Sequence, residues 1–111
     1  MYGMQEKAIE LYTRAGPKKD AARLTAPLAL RAGRLEEAIA NYRIIGDIET
    51  CATLEERSGK TEDAINDWKQ LKKYDQAAIL AERAGMLHEA AELYQQAGKE
   101  SDAIRILDML K

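Results

Sequence analysis

The segment RAGRLEEAIANYRIIG, residues 31–46, contains the pattern that decides the fold. Gly33 and Gly46 stand thirteen residues apart, with a run rich in helix-forming residues between them. Ala38 follows Gly33 by five residues and Tyr42 by nine, so both side chains fall on one face of a helix. The segment therefore predicts a helix of about eleven residues, roughly 16 Å long, that ends at a glycine.

The same thirteen-residue step recurs along the whole chain. It is lengthened once by four residues, between Gly16 and Gly33, and Lys72 stands where one glycine is expected. We call the glycines and Lys72 the register positions and count offsets from them. Spacing of this kind indicates a repeat architecture. The glycines that follow the step are Gly3, Gly16, Gly33, Gly46, Gly59, Gly85 and Gly98.

Offset five carries a small side chain in every repeat, which predicts helices that approach one another closely. The cysteine at this offset is expected to pack as a small buried hydrophobe, without a chemical role. The residues are Ala8, Ala21, Ala38, Cys51, Ala64, Ala77, Ala90 and Ala103.

Offset nine alternates between aromatic and other residues, which indicates two helix types and a true repeat of 26 residues. We expect the rings to be core residues, since they share a helix face with offset five. The aromatic residues are Tyr12, Tyr42, Trp68 and Tyr94, and the others are Thr25, Glu55, Ala81 and Leu107.

The two prolines fall in the longer step. Pro17 suits the start of a helix. Pro27 lies inside AARLTAPLALRAG, residues 21–33, where it removes a backbone donor. We therefore expect a kink or break near Thr25–Pro27.

Three segments resemble the second helix of a tetratricopeptide repeat: GRLEEAIANYRII (33–45), GKTEDAINDWKQL (59–71) and GMLHEAAELYQQA (85–97). Their glycine, alanine and aromatic positions match the family, and Ala26, Ala52 and Ala78 match the small position of its first helix. The family's tryptophan and tyrosine positions are not kept, Ile45 and Leu71 depart from its last small position, and a helix pair takes 26 residues instead of the family's 34. Such short pairs are similar to repeats of vesicle-coat and intraflagellar-transport subunits.

The resemblance implies an all-α fold, a right-handed α-solenoid of about eight short antiparallel helices, as one domain over residues 1–111. Stacked pairs bury the apolar faces that one pair alone leaves open. The implied function is a non-catalytic scaffold that binds a partner peptide or helix on its concave face. Two alternatives remain: a structural domain that self-assembles through open solenoid ends, and a fragment of a larger transport or coat subunit.

The resemblance also implies that the first helix of each pair lines the concave side. This surface is mixed in charge and acidic toward its middle, which suits a peptide with some basic residues. Three of its arginines, Arg31, Arg57 and Arg83, recur every 26 residues, either because cations favour helix ends or because they grip carboxylates of a partner. The expected partner-binding residues are Arg23, Arg31, Glu49, Thr53, Glu56, Arg57, Asp75, Ile79, Glu82 and Arg83.

The last helix, SDAIRILDMLK (101–111), has apolar residues around too much of its circumference to bury them all. Exposed apolar patches mark interaction sites or missing neighbours. We expect Ile106, Met109 and Leu110 either to bind another chain, including a second copy, or to mark a truncated fragment.

The remaining features argue against other classes of function. Seventeen basic and nineteen acidic residues give a net charge of −2, which disfavours nucleic-acid binding, including single-stranded RNA. The lone Cys51 and the absence of a long apolar run favour a cytoplasmic protein without membrane insertion. The only histidine, His88, has no clustered ligands, so we expect no enzyme, metal or cofactor.

Overall fold

A computed structural model describes residues 18–111, and this part of the chain is all-α, without a strand. Seven of the eight predicted helices are present. The predicted first helix, with Ala8 and Tyr12, and the proline at position 17 lie outside the described residues. The seven are α1 (Lys18–Arg31), α2 (Leu35–Ile45), α3 (Ile48–Arg57), α4 (Thr61–Gln70), α5 (Tyr74–Arg83), α6 (Leu87–Gln96) and α7 (Glu100–Met109).

The chain divides into two compact units, and the boundary between Leu54 and Glu55 falls within α3. In the first unit α1 packs on α2. In the second unit α4 packs on α5, α5 on α6, and α6 on α7. Within each unit, the helices that pack together are therefore consecutive in sequence, as expected of a helical repeat.

One hydrogen-bonded turn joins consecutive helices. After α2, the backbone N–H of Asp47 donates to the carbonyl of Tyr42 at 2.9 Å, and that of Gly46 to Arg43 at 3.1 Å. This pattern provides donors for the last carbonyls of the helix. The bond between residues five apart, like that from Asp47 to Tyr42, recurs in the other turns at 2.8–2.9 Å. It runs from Arg34 to Ala29, Lys60 to Glu55, Lys73 to Trp68, Met86 to Ala81 and Lys99 to Tyr94.

The register positions have left-handed backbone conformations. The glycines from Gly33 to Gly98 have φ between 75° and 91°, which confirms that they end helices. Lys72, which replaces a glycine in the register, has φ 60° and is the one non-glycine residue with positive φ in the described range. A side chain with a Cβ is strained in this region, so the turn imposes its conformation on an unfavourable residue.

The offset-five residues lie in the core, as predicted. From Ala21 to Ala103 their exposed fractions lie between 0 % and 7 %. Cys51 is fully buried, and its Sγ lies 3.4 Å from the carbonyl oxygen of Ile39, so it packs as a small core residue. At offset nine, Trp68 and Tyr94 are buried.

The kink or break predicted near Thr25–Pro27 is not a break, because α1 runs without interruption from Lys18 to Arg31. Pro27 is exposed, so the Arg23 carbonyl that loses its backbone donor faces the solvent side of the helix. The opposite side of α1 is held by buried alanines, Ala22, Ala26 and Ala29. Their packing offsets the one hydrogen bond that the proline removes.

Candidate functional site

The second unit contains two glutamate–aromatic pairs of the same construction. The indole Nε1 of Trp68 donates to Oε2 of Glu56 at 2.8 Å, and the hydroxyl of Tyr94 donates to Oε1 of Glu82 at 2.8 Å. In both pairs the ring follows the glutamate by twelve residues, and the pairs are one 26-residue repeat apart. Each ring is therefore a buried core residue whose polar atom reaches a carboxylate at the surface.

The carboxylate of Glu82 is also bound by an arginine from the next helix of the same type. Arg105 on α7 donates from Nη1 to Oε2 of Glu82 at 2.9 Å and from Nη2 to Oε1 at 3.0 Å. Its Nη2 is also 3.4 Å from Oδ1 of Asp102. Both carboxylate oxygens are thus held by the planar guanidinium, which is the strong form of this ion pair.

These contacts determine the charge state of the Glu82 site. The hydrogen bonds from Arg105, followed by the one from Tyr94, lower the pKa of Glu82 to about 2. Burial raises the pKa of Tyr94, and its bond to the ionised Glu82 raises it further. Glu82 therefore remains a carboxylate, and Tyr94 a neutral donor, throughout the physiological range.

Glu56 has an aromatic partner at the same sequence separation, Trp68, but a different neighbour at the arginine position. The residue one repeat before Arg105 is Ile79, which is 43 % exposed. Within residues 18–111, no cation lies within 4.0 Å of the Glu56 carboxylate. The carboxylate opens instead onto a groove that we call the Glu56 groove, lined by Glu56, Gln76, Ile79, Leu80 and Arg83.

The structure exposes nearly all of the predicted partner-binding residues. Glu82 is the exception, because it is partly buried and already bound by Arg105 and Tyr94. Three of the predicted residues, Glu56, Ile79 and Arg83, meet in the Glu56 groove. Their role in binding stays a prediction. The others lie outside this groove: Arg23, Arg31, Glu49 and Thr53 in the first unit and Arg57 and Asp75 in the second.

Sequence reasoning missed the glutamate–aromatic pairs and the part played by Arg105. It also missed Gln76 and Leu80 as groove residues. A signal was present, because both Glu56 and Glu82 precede a ring by twelve residues. The corresponding residue before Tyr42 is Leu30, so the signal occurs only in the second half of the chain.

The predicted interface on the last helix needs one correction. Ile106 has no exposed surface, so it is not available to bind another chain. It stands at offset eight, and the residue at the same offset of α6, Leu93, is also buried. Met109 is 57 % exposed, and Leu110 is partly buried. The exposed apolar surface of α7 is formed by Ile104, Leu107 and Met109.

Ile104 is exposed at an offset that is buried in the other described helices. It stands at offset six and is 59 % exposed, whereas the offset-six residue of every other described helix is below 9 %. We call Ile104 and its neighbour Leu107 the α7 face. The buried residues at the same offset are Ala22, Ile39, Ala52, Ile65, Ala78 and Ala91.

Other kinds of site have little support in the described range. His88 is exposed at the start of α6. Residues 18–111 contain no group of three or more His, Cys, Asp or Glu residues placed to hold a metal ion. The longest helix there, α1, has 14 residues, and none combines the length and the apolar character that crossing a membrane requires.

Comparison of the chain with models of known protein families, with curated proteins and with solved structures found no match. The resemblance to tetratricopeptide repeats is thus carried by the residues named above. What the structure adds to it is the series of short helices that pack on their neighbours at a constant register.

Proposed function

We propose that this protein is a non-catalytic interaction domain that binds a peptide or helix of a partner protein in the Glu56 groove. The observation that carries the proposal is the composition of this groove, which an exposed isoleucine lines together with a carboxylate and a guanidinium. Apolar anchors flanked by polar groups are typical of protein-recognition surfaces.

The surroundings of the groove favour a preformed binding surface. Glu56 is oriented by the indole of Trp68, which is itself buried. The groove residues of α5 stand on a helix that packs on both α4 and α6. Side chains presented by packed helices lose little freedom on binding, which favours affinity.

The proposal includes the finer assignments that the resemblance implies. These are a tetratricopeptide-like, right-handed α-solenoid, a concave face formed by the first helix of each pair, and a place in the cytoplasm. The support is the 26-residue alternation of two helix types, together with the repeated turns that join them. A helix-in-groove or extended-peptide mode fits such a surface.

A selection from a displayed library of random twelve-residue peptides, performed on the full chain, tests this proposal. We expect enriched peptides to bind the Ile79→Asp variant at least about tenfold more weakly, because a charge replaces the apolar anchor. Ile104→Asp is the matched control, since it changes another exposed isoleucine outside the groove. The proposal fails if no peptide is enriched, or if enriched peptides bind Ile79→Asp as tightly as the unchanged chain.

A second candidate function is self-assembly through the α7 face, which the exposure of Ile104 and Leu107 favours. In the other helices of this type the residues at these offsets are smaller or polar: Ala22 with Thr25, Ala52 with Glu55, and Ala78 with Ala81. Two large aliphatic side chains on α7 suit a helix packed at a wider spacing than the internal neighbours. An antiparallel second copy would bring Ile104 opposite Leu107 and Glu100 opposite Lys111, which pairs opposite charges.

Sedimentation equilibrium distinguishes this candidate from the first. Self-association predicts a dimer that Ile104→Asp converts to a monomer and that Ile79→Asp leaves intact. A monomer across the micromolar range would exclude the candidate.

A further inference from the structure

We propose that Glu56 is a receptor for an arginine side chain of the bound peptide. This inference rests on the proposed function and specifies the chemistry of the ligand. It comes from comparing two equivalent positions of the repeat, one of which holds a guanidinium within the chain.

The Glu82 position shows how such a carboxylate is used. Tyr94 holds Oε1, and Arg105 spans both oxygens with bonds of 2.9 and 3.0 Å. The Glu56 position has the same glutamate at the same offset and a ring donor at the same separation. It differs in that Ile79 stands at the position of the arginine, so the next helix of the same type provides no guanidinium there.

The neighbours of Glu56 suit an arginine that comes from outside. Ile79 and Leu80 offer apolar surface to the aliphatic part of the side chain. Gln76 lies one repeat before Asp102, the second acceptor for Arg105, and its amide oxygen is also an acceptor. The geometry thus favours a planar fork with several donors over the compact ammonium group of lysine.

Arg83 limits which arginine peptides fit. It lines the Glu56 groove at the position that Met109 takes one repeat later, and its charge opposes a second cation. A segment with a carboxylate close to its arginine fits the groove better than a polybasic segment. The inferred partner therefore contains an arginine for Glu56 and an acidic residue for Arg83.

The only tryptophan of the chain provides a direct readout, because its indole N–H is bonded to Glu56. We would titrate the ¹⁵N-labelled full chain with Nα-acetyl-arginine methylamide, and with its lysine and citrulline counterparts. We expect the Trp68 indole signal to move saturably with the arginine compound and at least threefold more weakly with lysine. The uncharged citrulline compound should leave the signal in place.

Three variants identify the site. Glu56→Gln keeps an oxygen acceptor for Trp68 but removes the charge, and should abolish the saturable shift. Ile79→Arg supplies the guanidinium from within the chain and should abolish it as well. Arg105→Ile reproduces the Glu56 arrangement at Glu82 and should add a second site, observed at the backbone amide signal of Tyr94.

The outcomes separate this inference from the proposed function. If the arginine and lysine compounds move the Trp68 signal equally, or if Glu56→Gln leaves the shift unchanged, the arginine receptor is refuted, even where peptide selection identifies the groove. If selection yields no groove-binding peptide but the shift saturates and requires Glu56, the arginine site stands and the peptide-binding function fails.

Discussion

The indole Nε1 of Trp68 lies 2.8 Å from Oε2 of Glu56, twelve residues earlier in the chain. The bond joins α4 to the last turn of α3, and the Trp68 ring is only 5 % exposed. A buried residue of the repeat is thereby connected to a surface carboxylate. Changes at Glu56 should consequently affect both the stability of the second unit and the environment of its tryptophan.

Removing this acceptor should destabilise the chain. We expect Glu56→Leu to lower the free energy of unfolding by about 1 kcal/mol, because the indole N–H loses its partner. Glu56→Gln should cost less, since its amide oxygen still accepts. Urea unfolding followed by the fluorescence of Trp68 measures both effects. Glu92→Leu, at an exposed position of α6, is the control and should have a smaller effect.

The left-handed residue at position 72 offers a route to a more stable chain. Lys72→Gly should raise the free energy of unfolding by about 0.5–1 kcal/mol, because glycine adopts this conformation without a Cβ clash. Gly85→Lys should lower it by a similar amount. Nothing lies within 4 Å of a Cβ built at Gly85, so the loss of stability in Gly85→Lys comes from the backbone conformation alone. Equal stabilities of Lys72→Gly and the unchanged chain would contradict this explanation.

Small residues at offset five should be required by packing. Ala38 is fully buried on α2 and Ala40, two residues later, is exposed. We expect Ala38→Leu to cost about 1–3 kcal/mol through overpacking. Ala40→Leu should change the stability by less than about 0.5 kcal/mol. Thermal unfolding followed by circular dichroism compares the pair, and similar melting temperatures would count against close helix packing at Ala38.

Truncation of two isoleucines of α7 should lower the free energy of unfolding to very different extents. Ile106→Ala removes a fully buried side chain and should cost about 2–4 kcal/mol. Ile104→Ala removes one that is 59 % exposed, so its effect on a monomer should be small. Chemical denaturation at low protein concentration makes the comparison without interference from self-association. A larger loss at Ile104 would contradict the burial seen in the structure.

The ion pair of Arg105 and Glu82 should make stability depend on pH in the acid range. Glu82 has a pKa of about 2 in the folded chain and an ordinary value of 4.5. The pair therefore contributes fully above about pH 4.5, and its contribution declines as the pH falls toward 2. We expect Arg105→Gln to lower the urea midpoint at pH 7 and to lose this deficit as the pH approaches 2.

The exposed Asp108–Lys111 pair provides the control for this pH series. Its atoms are 3.2 Å apart, and both side chains are largely exposed. Lys111→Gln should leave the pH profile unchanged, since surface pairs of this kind contribute little. A deficit in Arg105→Gln that stays constant from pH 7 to pH 3 would show that Glu82 is not the titrating group.

The helix ends and the close-packing positions could be predicted because their causes are local. A left-handed turn requires a residue that tolerates it, so the spacing of Gly33, Gly46 and their equivalents is enough to locate the ends of helices. Even Lys72, which lacks this tolerance, is located by the spacing and has φ 60°. Offset five could be identified because a close helix contact excludes large side chains at every repeat.

The candidate site could be predicted only in part. Exposure of Glu56, Ile79 and Arg83 follows from helical periodicity, but their meeting in one groove depends on how α3 and α5 are placed. The helix at Pro27 continues because the buried alanines of α1 outweigh one lost hydrogen bond. The expected exposure of Ile106 was wrong because a helical wheel does not show which side meets a neighbour.

By itself, the sequence determined where the described helices begin and end and which residues allow them to pack closely, because both depend on backbone conformation and side-chain size within one thirteen-residue step. Only the tertiary structure decided which charges meet. Glu82 binds Arg105 across 23 residues, whereas the equivalent Glu56 has an isoleucine at that position and opens onto a groove. The reason is physical: hydrogen bonds and ion pairs need atoms within about 3–4 Å, and helix packing sets those distances.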